Sequence, residues 1–100
     1  MKLEVLHIED CPNWEEAGRR LQVALALTGR GDLPIGYRLL RTPAEAAPTA
    51  FAGSPTITVD GLDLFPSDGR TSDLACRVYL TPTGLAGLPT VDQLVEALST

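Results

Sequence analysis

The run Leu3-Glu4-Val5-Leu6-His7-Ile8-Glu9-Asp10-Cys11-Pro12-Asn13-Trp14 decides how this chain is read. Residues 3–8 are dense in Leu, Val and Ile, which suits a central strand covered on both faces. Residues 12–28 then take a helical period. Trp14, Ala17, Leu21, Leu25 and Thr28 fall on one stripe, with Glu15, Glu16, Arg19 and Arg20 on the outward side. Cys11 is therefore expected at a helix start, and Pro12, tolerated at a first helical position, supports that boundary. Unpaired backbone N–H groups and the positive end of the helix dipole favour a thiolate there. The neighbouring Glu9 and Asp10 act the other way.

Gly29-Arg30-Gly31 closes the helix. Residues 35–41 read as a second strand with Tyr37 and Leu39 alternating, and a helix between two strands implies a parallel, right-handed crossover. Residues 43–51 form an alanine-rich helical turn started by Pro43 and limited by Pro48. Phe51-Ala52-Gly53-Ser54-Pro55-Thr56 enters a third strand over residues 56–59. The Asp60-Gly61 turn leads into an antiparallel fourth strand over residues 62–65. Residues 66–72 are polar and turn-rich, hence a loop. Residues 73–80 fit a short helix or a strand equally well, and residues 81–89, with two prolines and two glycines, are expected as loop. Thr90-x-x-Gln93 is a capping box for a final helix through Leu98, with Val91, Leu94, Val95 and Leu98 inward.

One hundred residues suit one domain, with 44% hydrophobic and 21% charged residues as in ordinary globular proteins. A net charge of −5 argues against nucleic acid and anionic membrane surfaces as partners. No stretch reaches the roughly 20 apolar residues of a membrane span. The charged residues Lys2, Glu4, Glu9 and Asp10 do not fit a signal peptide, so a cytoplasmic monomer is the expectation. Two cysteines in that setting are reactive or free rather than a structural staple. There is no glycine-rich phosphate loop and no Gly-x-Ser-x-Gly elbow. Two cysteines and one histidine cannot complete a tetrahedral zinc site without a carboxylate, and no cofactor is expected.

Cys11-Pro12-Asn13-Trp14 and Gly53-Ser54-Pro55-Thr56 stand in the order strand, Cys-helix, strand, helix, Pro-strand, strand, helix. This order resembles the thioredoxin-like fold. It is similar in particular to a group of small bacterial thioredoxin-like proteins with a Cys-Pro-Asn-Trp start and a Leu-x-Cys-Arg-x-Tyr segment, here Leu74-Ala75-Cys76-Arg77-Val78-Tyr79. The resemblance implies an α/β protein with a mixed four-stranded sheet in the order 2-1-3-4, its third and fourth strands an antiparallel hairpin, flanked by helices. It implies a cis bond before Pro55, with the Ser54 backbone left unpaired beside the thiol to receive an extended peptide or glutathione. It also implies a thiol–disulfide oxidoreductase in which Cys11 attacks a disulfide, with Pro12, Trp14, Ser54 and Pro55 shaping the substrate site. Thioredoxins carry Cys-x-x-Cys, but here Trp14 holds the second cysteine's position. Resolution then falls to an outside thiol such as glutathione or to Cys76.

Several residues keep two readings. Cys76 is either a buried small hydrophobe or the resolving thiol, with Arg77 able to stabilise its thiolate, and its placement near Cys11 or at the far end of the sheet is open. Trp14 is either core packing or a lid beside Cys11. His7 packs or caps rather than acting as a base, Arg38 and Arg41 are solvated, and Tyr79 is half-buried. Two further functions compete with exchange: a non-enzymatic soft-metal binder holding mercury or copper on Cys11 and Cys76, and a redox-inert interaction module.

Overall fold

The computed structural model describes residues 1–66 and 74–99. The chain runs β1 (Leu3–His7), α1 (Trp14–Leu27), β2 (Ile35–Leu39), α2 (Pro43–Ala46), β3 (Thr56–Val59), β4 (Leu62–Asp63), β5 (Tyr79–Thr81), β6 (Gly84–Ala86) and α3 (Val91–Leu98). A mixed sheet has the order β2-β1-β3-β4. β1 and β2 are parallel, with Leu3 opposite Ile35, as the intervening helix requires. β1 with β3 and β3 with β4 are antiparallel. Asp60 (φ 52°) and Gly61 (φ 82°) both take positive φ between β3 and β4, which is what a two-residue hairpin turn demands.

β1 is central because its two faces feed two separate cores. Leu3 and Val5 join Ala17, Leu21, Leu25, Ile57, Leu94 and Leu98 on the side covered by α1 and α3. Leu6 and the following Ile8 join Cys11, Leu40, Ala46 and Phe51 on the other side. The period of two along the strand makes this division, since successive side chains leave opposite faces. α3 starts where the capping box puts it: the Thr90 hydroxyl accepts from the Gln93 N–H (3.1 Å), and the Gln93 side chain accepts from the Thr90 N–H (2.9 Å).

The structure departs from the sequence reading in several places. α1 begins at Trp14, with the Ala17 N–H bonded to the Asn13 carbonyl (2.9 Å), rather than at Pro12. β2 ends at Leu39, α2 is a single turn, and β4 holds only two residues. Residues 81–89 are not loop throughout. β5 and β6 pair as a second, two-stranded sheet with Leu80 opposite Leu85. Pro82 sits in the turn between them, so its missing N–H costs no ladder bond. Within residues 73–80 the described part is extended, and Tyr79 is buried rather than half-buried. Of the loop expected over residues 66–72, all but Pro66 lies outside the described residues. Among the described residues no helix is long and apolar enough to cross a membrane.

Candidate active site

The turn before β3 is built by local bonds. The Thr56 hydroxyl donates to the Gly53 carbonyl (2.6 Å) and accepts from the Ala52 N–H (3.0 Å). The Ser54–Pro55 peptide bond is cis. Ser54 is fully buried, and its hydroxyl accepts from the Ile8 N–H (3.1 Å), tying the turn to the end of β1. The Ser54 backbone is not the unpaired edge that the resemblance implies. Its N–H donates to the Ala75 carbonyl (2.8 Å) and its carbonyl accepts from the Arg77 N–H (2.8 Å), an isolated parallel bridge to Cys76. The edge proposed for an extended peptide or glutathione is occupied by the protein's own residues 75–77. No local signal could announce this, because the two partners are separated by β3, β4 and the segment that follows.

Cys11 lies ahead of α1, its N–H bonded to the Ile8 carbonyl (3.5 Å) and its side chain wholly inside the second core. Because the helix begins at Trp14, the thiol is not seated on the first-turn N–H groups. Instead Cys11 Sγ donates to the Ser54 carbonyl (3.4 Å), the same oxygen that Arg77 uses. Cys76, pinned to Ser54 from the other side, is exposed. Ser54 therefore gathers both cysteines, Cys11 through its side chain and Cys76 through its backbone. The Cys76 thiol is held above its ordinary range first by its contact with Cys11, then by desolvation, and then by the charges of Cys11 and Asp10.

Residues 76–81 alternate strictly: Arg77, Tyr79 and Thr81 are buried, whereas Cys76, Val78 and Leu80 are exposed. The buried set fixes the segment. Arg77 reaches the Asp63 carboxylate (2.9 Å) and the Phe65 carbonyl, and its guanidinium lies 4.5 Å from the Tyr79 ring centroid. It therefore points away from the thiols and does not stabilise a Cys76 thiolate. The Tyr79 hydroxyl donates to the Pro55 carbonyl, and burial pushes its ionisation far above the ordinary phenol range. Gly53 is the close-approach residue: at φ 108° its missing Cβ would stand 2.8 Å from Arg77 Cβ. Sequence reasoning missed Gly53, Asp63 and the anchoring role of Arg77. The period-two pattern of residues 76–80 marks an extended segment, but its apolar face is Cys76, Val78 and Leu80, so it would turn Arg77 outward, the reverse of what the structure shows.

The other predicted site residues are placed differently. Pro12 is exposed next to Cys11. Trp14 packs against the first core, stacked on His7 at 4.6 Å and edge-on to Tyr37 at 5.6 Å, so it is not a lid over Cys11, which belongs to the second core. His7 shares that stack, and burial lowers its pKa, so it stands neutral near pH 7 on the opposite face from Cys11. Its Nδ1 is buried without a hydrogen-bond partner among the described residues. Arg38 and Arg41 are exposed, each 3.9 Å from a glutamate, Glu4 and Glu9 respectively. Among the described residues no three His, Cys, Asp or Glu side chains gather as a metal site.

Comparison with protein-family models, with curated proteins and with solved structures finds no match in any of the three.

Proposed function

We propose that this chain is a thiol–disulfide exchange protein of thioredoxin-like type whose redox couple is Cys11 with Cys76. The observation that carries this function is the anchoring of one buried and one exposed cysteine on the same residue, Ser54. The sheet order β2-β1-β3-β4 supports the fold assignment. Exposure makes Cys76, rather than Cys11, the thiol that meets an outside disulfide. Its sulfur, as thiolate, bonds to one sulfur of that disulfide, the S–S bond breaks, and the other half leaves as a thiolate that takes up a proton. Cys11 then attacks the Cys76 sulfur of the mixed disulfide and expels the second half. The two cysteines lose two electrons and two protons to become one disulfide, and the outside disulfide becomes two thiols. No external resolving thiol is required.

Incubating the reduced chain with a small disulfide and quenching in acid tests this. The expected product is an intramolecular disulfide two hydrogens lighter than the reduced chain. Cys11→Ser should instead accumulate the mixed disulfide on Cys76. A chain whose thiols stay unmodified without denaturant is a redox-inert module, and the proposal fails.

The same anchoring of both cysteines on Ser54 favours a second reading, a two-thiolate site for a soft cation such as copper(I) or mercury(II). Tight copper(I) binding that both Cys11→Ser and Cys76→Ser abolish, with no disulfide exchange, would select it.

A further inference from the structure

We infer that Val78, Leu80 and Leu85 form a specificity surface beside Cys76 that selects a disulfide carried on an apolar, non-acidic stretch of polypeptide over a small anionic disulfide, a role that rests on the exchange chemistry proposed above. The side chains Val78, Leu80 and Leu85 are 62%, 76% and 75% exposed. They are not scattered. The alternation along residues 76–80 puts Cys76, Val78 and Leu80 on one outward face, and strand register sets Leu85 opposite Leu80. The buried contacts of Arg77 and Tyr79 fix that face outward, because turning it inward would unpair the guanidinium and the phenol.

The geometry fits a polypeptide. At about 3.3 Å per residue the row from Cys76 to Leu80 is about 13 Å long, and an extended partner chain offers side chains at the same every-second-residue interval. An open cavity of about 430 Å³ includes Cys76, Val78 and Leu80 in its lining, together with Phe65, Pro66 and Arg77. The charge disfavours the small alternative. Asp10 is exposed, shares a cavity with Leu74 near the site, and its charge acts on the Cys76 thiol, while the chain carries −5 overall. Glutathione disulfide is anionic and hydrophilic, so it meets like charge and gains nothing from the aliphatic row. An apolar segment covers that row and brings its disulfide to the exposed sulfur at its end.

The test compares initial exchange rates of the full reduced chain with two probes. One is a disulfide-linked dimer of a neutral pentapeptide with valine and leucine flanking its cysteine; the other is glutathione disulfide. The peptide is expected to react about tenfold faster, and the Val78→Ser/Leu80→Ser double variant to lose that advantage while its glutathione rate holds. Both positions are exposed, so the variant keeps its fold, which a thermal melt of the reduced chain verifies. Equal wild-type rates, or a ratio the double variant does not move, would overturn the specificity surface and leave the exchange chemistry standing. Reaction with neither probe removes both.

Discussion

Ser54 and Cys76 are joined by a parallel bridge of two 2.8 Å hydrogen bonds, and the Ser54 carbonyl also receives the thiol of Cys11. One residue thus holds both cysteines. The turn before β3, which the sequence offers as a docking edge for a foreign chain, serves as the scaffold of an internal pair. Whatever alters the seat of residues 75–77 on Ser54 changes the relation between the two sulfurs.

The raised pKa of Cys76 has a definite sign in kinetics. Its thiolate forms above the ordinary thiol range of about 8.5, so alkylation of Cys76 should keep accelerating beyond that pH. Since contact with Cys11 is the largest cause, Cys11→Ala should bring the midpoint down towards the ordinary value. Rates of iodoacetamide modification against pH, read by mass spectrometry, check this; an unchanged midpoint in the variant would show that the thiols do not interact.

Gly53→Ala places a methyl group 2.8 Å from Arg77 Cβ and 2.9 Å from its Cα, on a backbone at φ 108° that alanine resists. Residues 75–77 must retreat, which weakens the Cys11–Cys76 couple. The variant's disulfide should be about tenfold easier to reduce, a rise of about 30 mV in its two-electron potential. A redox titration against glutathione measures it.

Asp63 and Arg77 form an ion pair whose side chains are only 12% and 7% exposed. Asp63→Leu removes the acceptor used by both the Arg77 guanidinium and the Phe65 N–H and strands the buried cation, so it should cost about 3 kcal/mol in urea unfolding. Replacing both with apolar residues, Asp63→Leu with Arg77→Met, should cost much less than the single change. A double variant as unstable as Asp63→Leu alone would show that the guanidinium contacts to Phe65 and Tyr79, not the charge pairing, hold the segment.

The same pair predicts a pH dependence. Burial raises the Asp63 pKa, and this outweighs the bond from the Phe65 N–H and the pull of Arg77. A carboxyl with a raised folded-state value holds its proton more tightly folded than unfolded. Its contribution is therefore complete below the ordinary Asp value of about 3.9 and is lost as pH rises through the raised value. The stability of the wild type relative to Asp63→Asn should accordingly increase as pH falls from neutrality. A difference independent of pH would contradict the assignment.

The capping box gives a control remote from the thiols. Thr90→Ala removes the acceptor for the Gln93 N–H and should cost about 1 kcal/mol in stability. Reduction of the Cys11–Cys76 couple should be unaffected, a contrast with Gly53→Ala that unfolding curves and redox titrations together reveal.

The elements read correctly along the chain are those with local causes. β1 declares itself through a dense aliphatic run, α1 through a stripe at helical spacing, the β3–β4 turn through Asp60-Gly61, and α3 through Thr90 and Gln93. Each signal lies within a few residues of its effect, so composition and period suffice. The β5–β6 hairpin was hidden because Pro82 and Gly84 mark a turn and a loop alike, and the pairing of Leu80 with Leu85 leaves no local trace. The site divides in the same way. Cys11, Ser54, Pro55 and Cys76 stand out as residue types in suggestive positions. Which thiol is buried, where the guanidinium of Arg77 points, and what occupies the Ser54 backbone depend on segments distant in the chain competing for the same hydrogen bonds. Packing resolves that competition, since each buried donor and acceptor near Ser54 must find a partner and residues 75–77 supply the ones that its backbone takes.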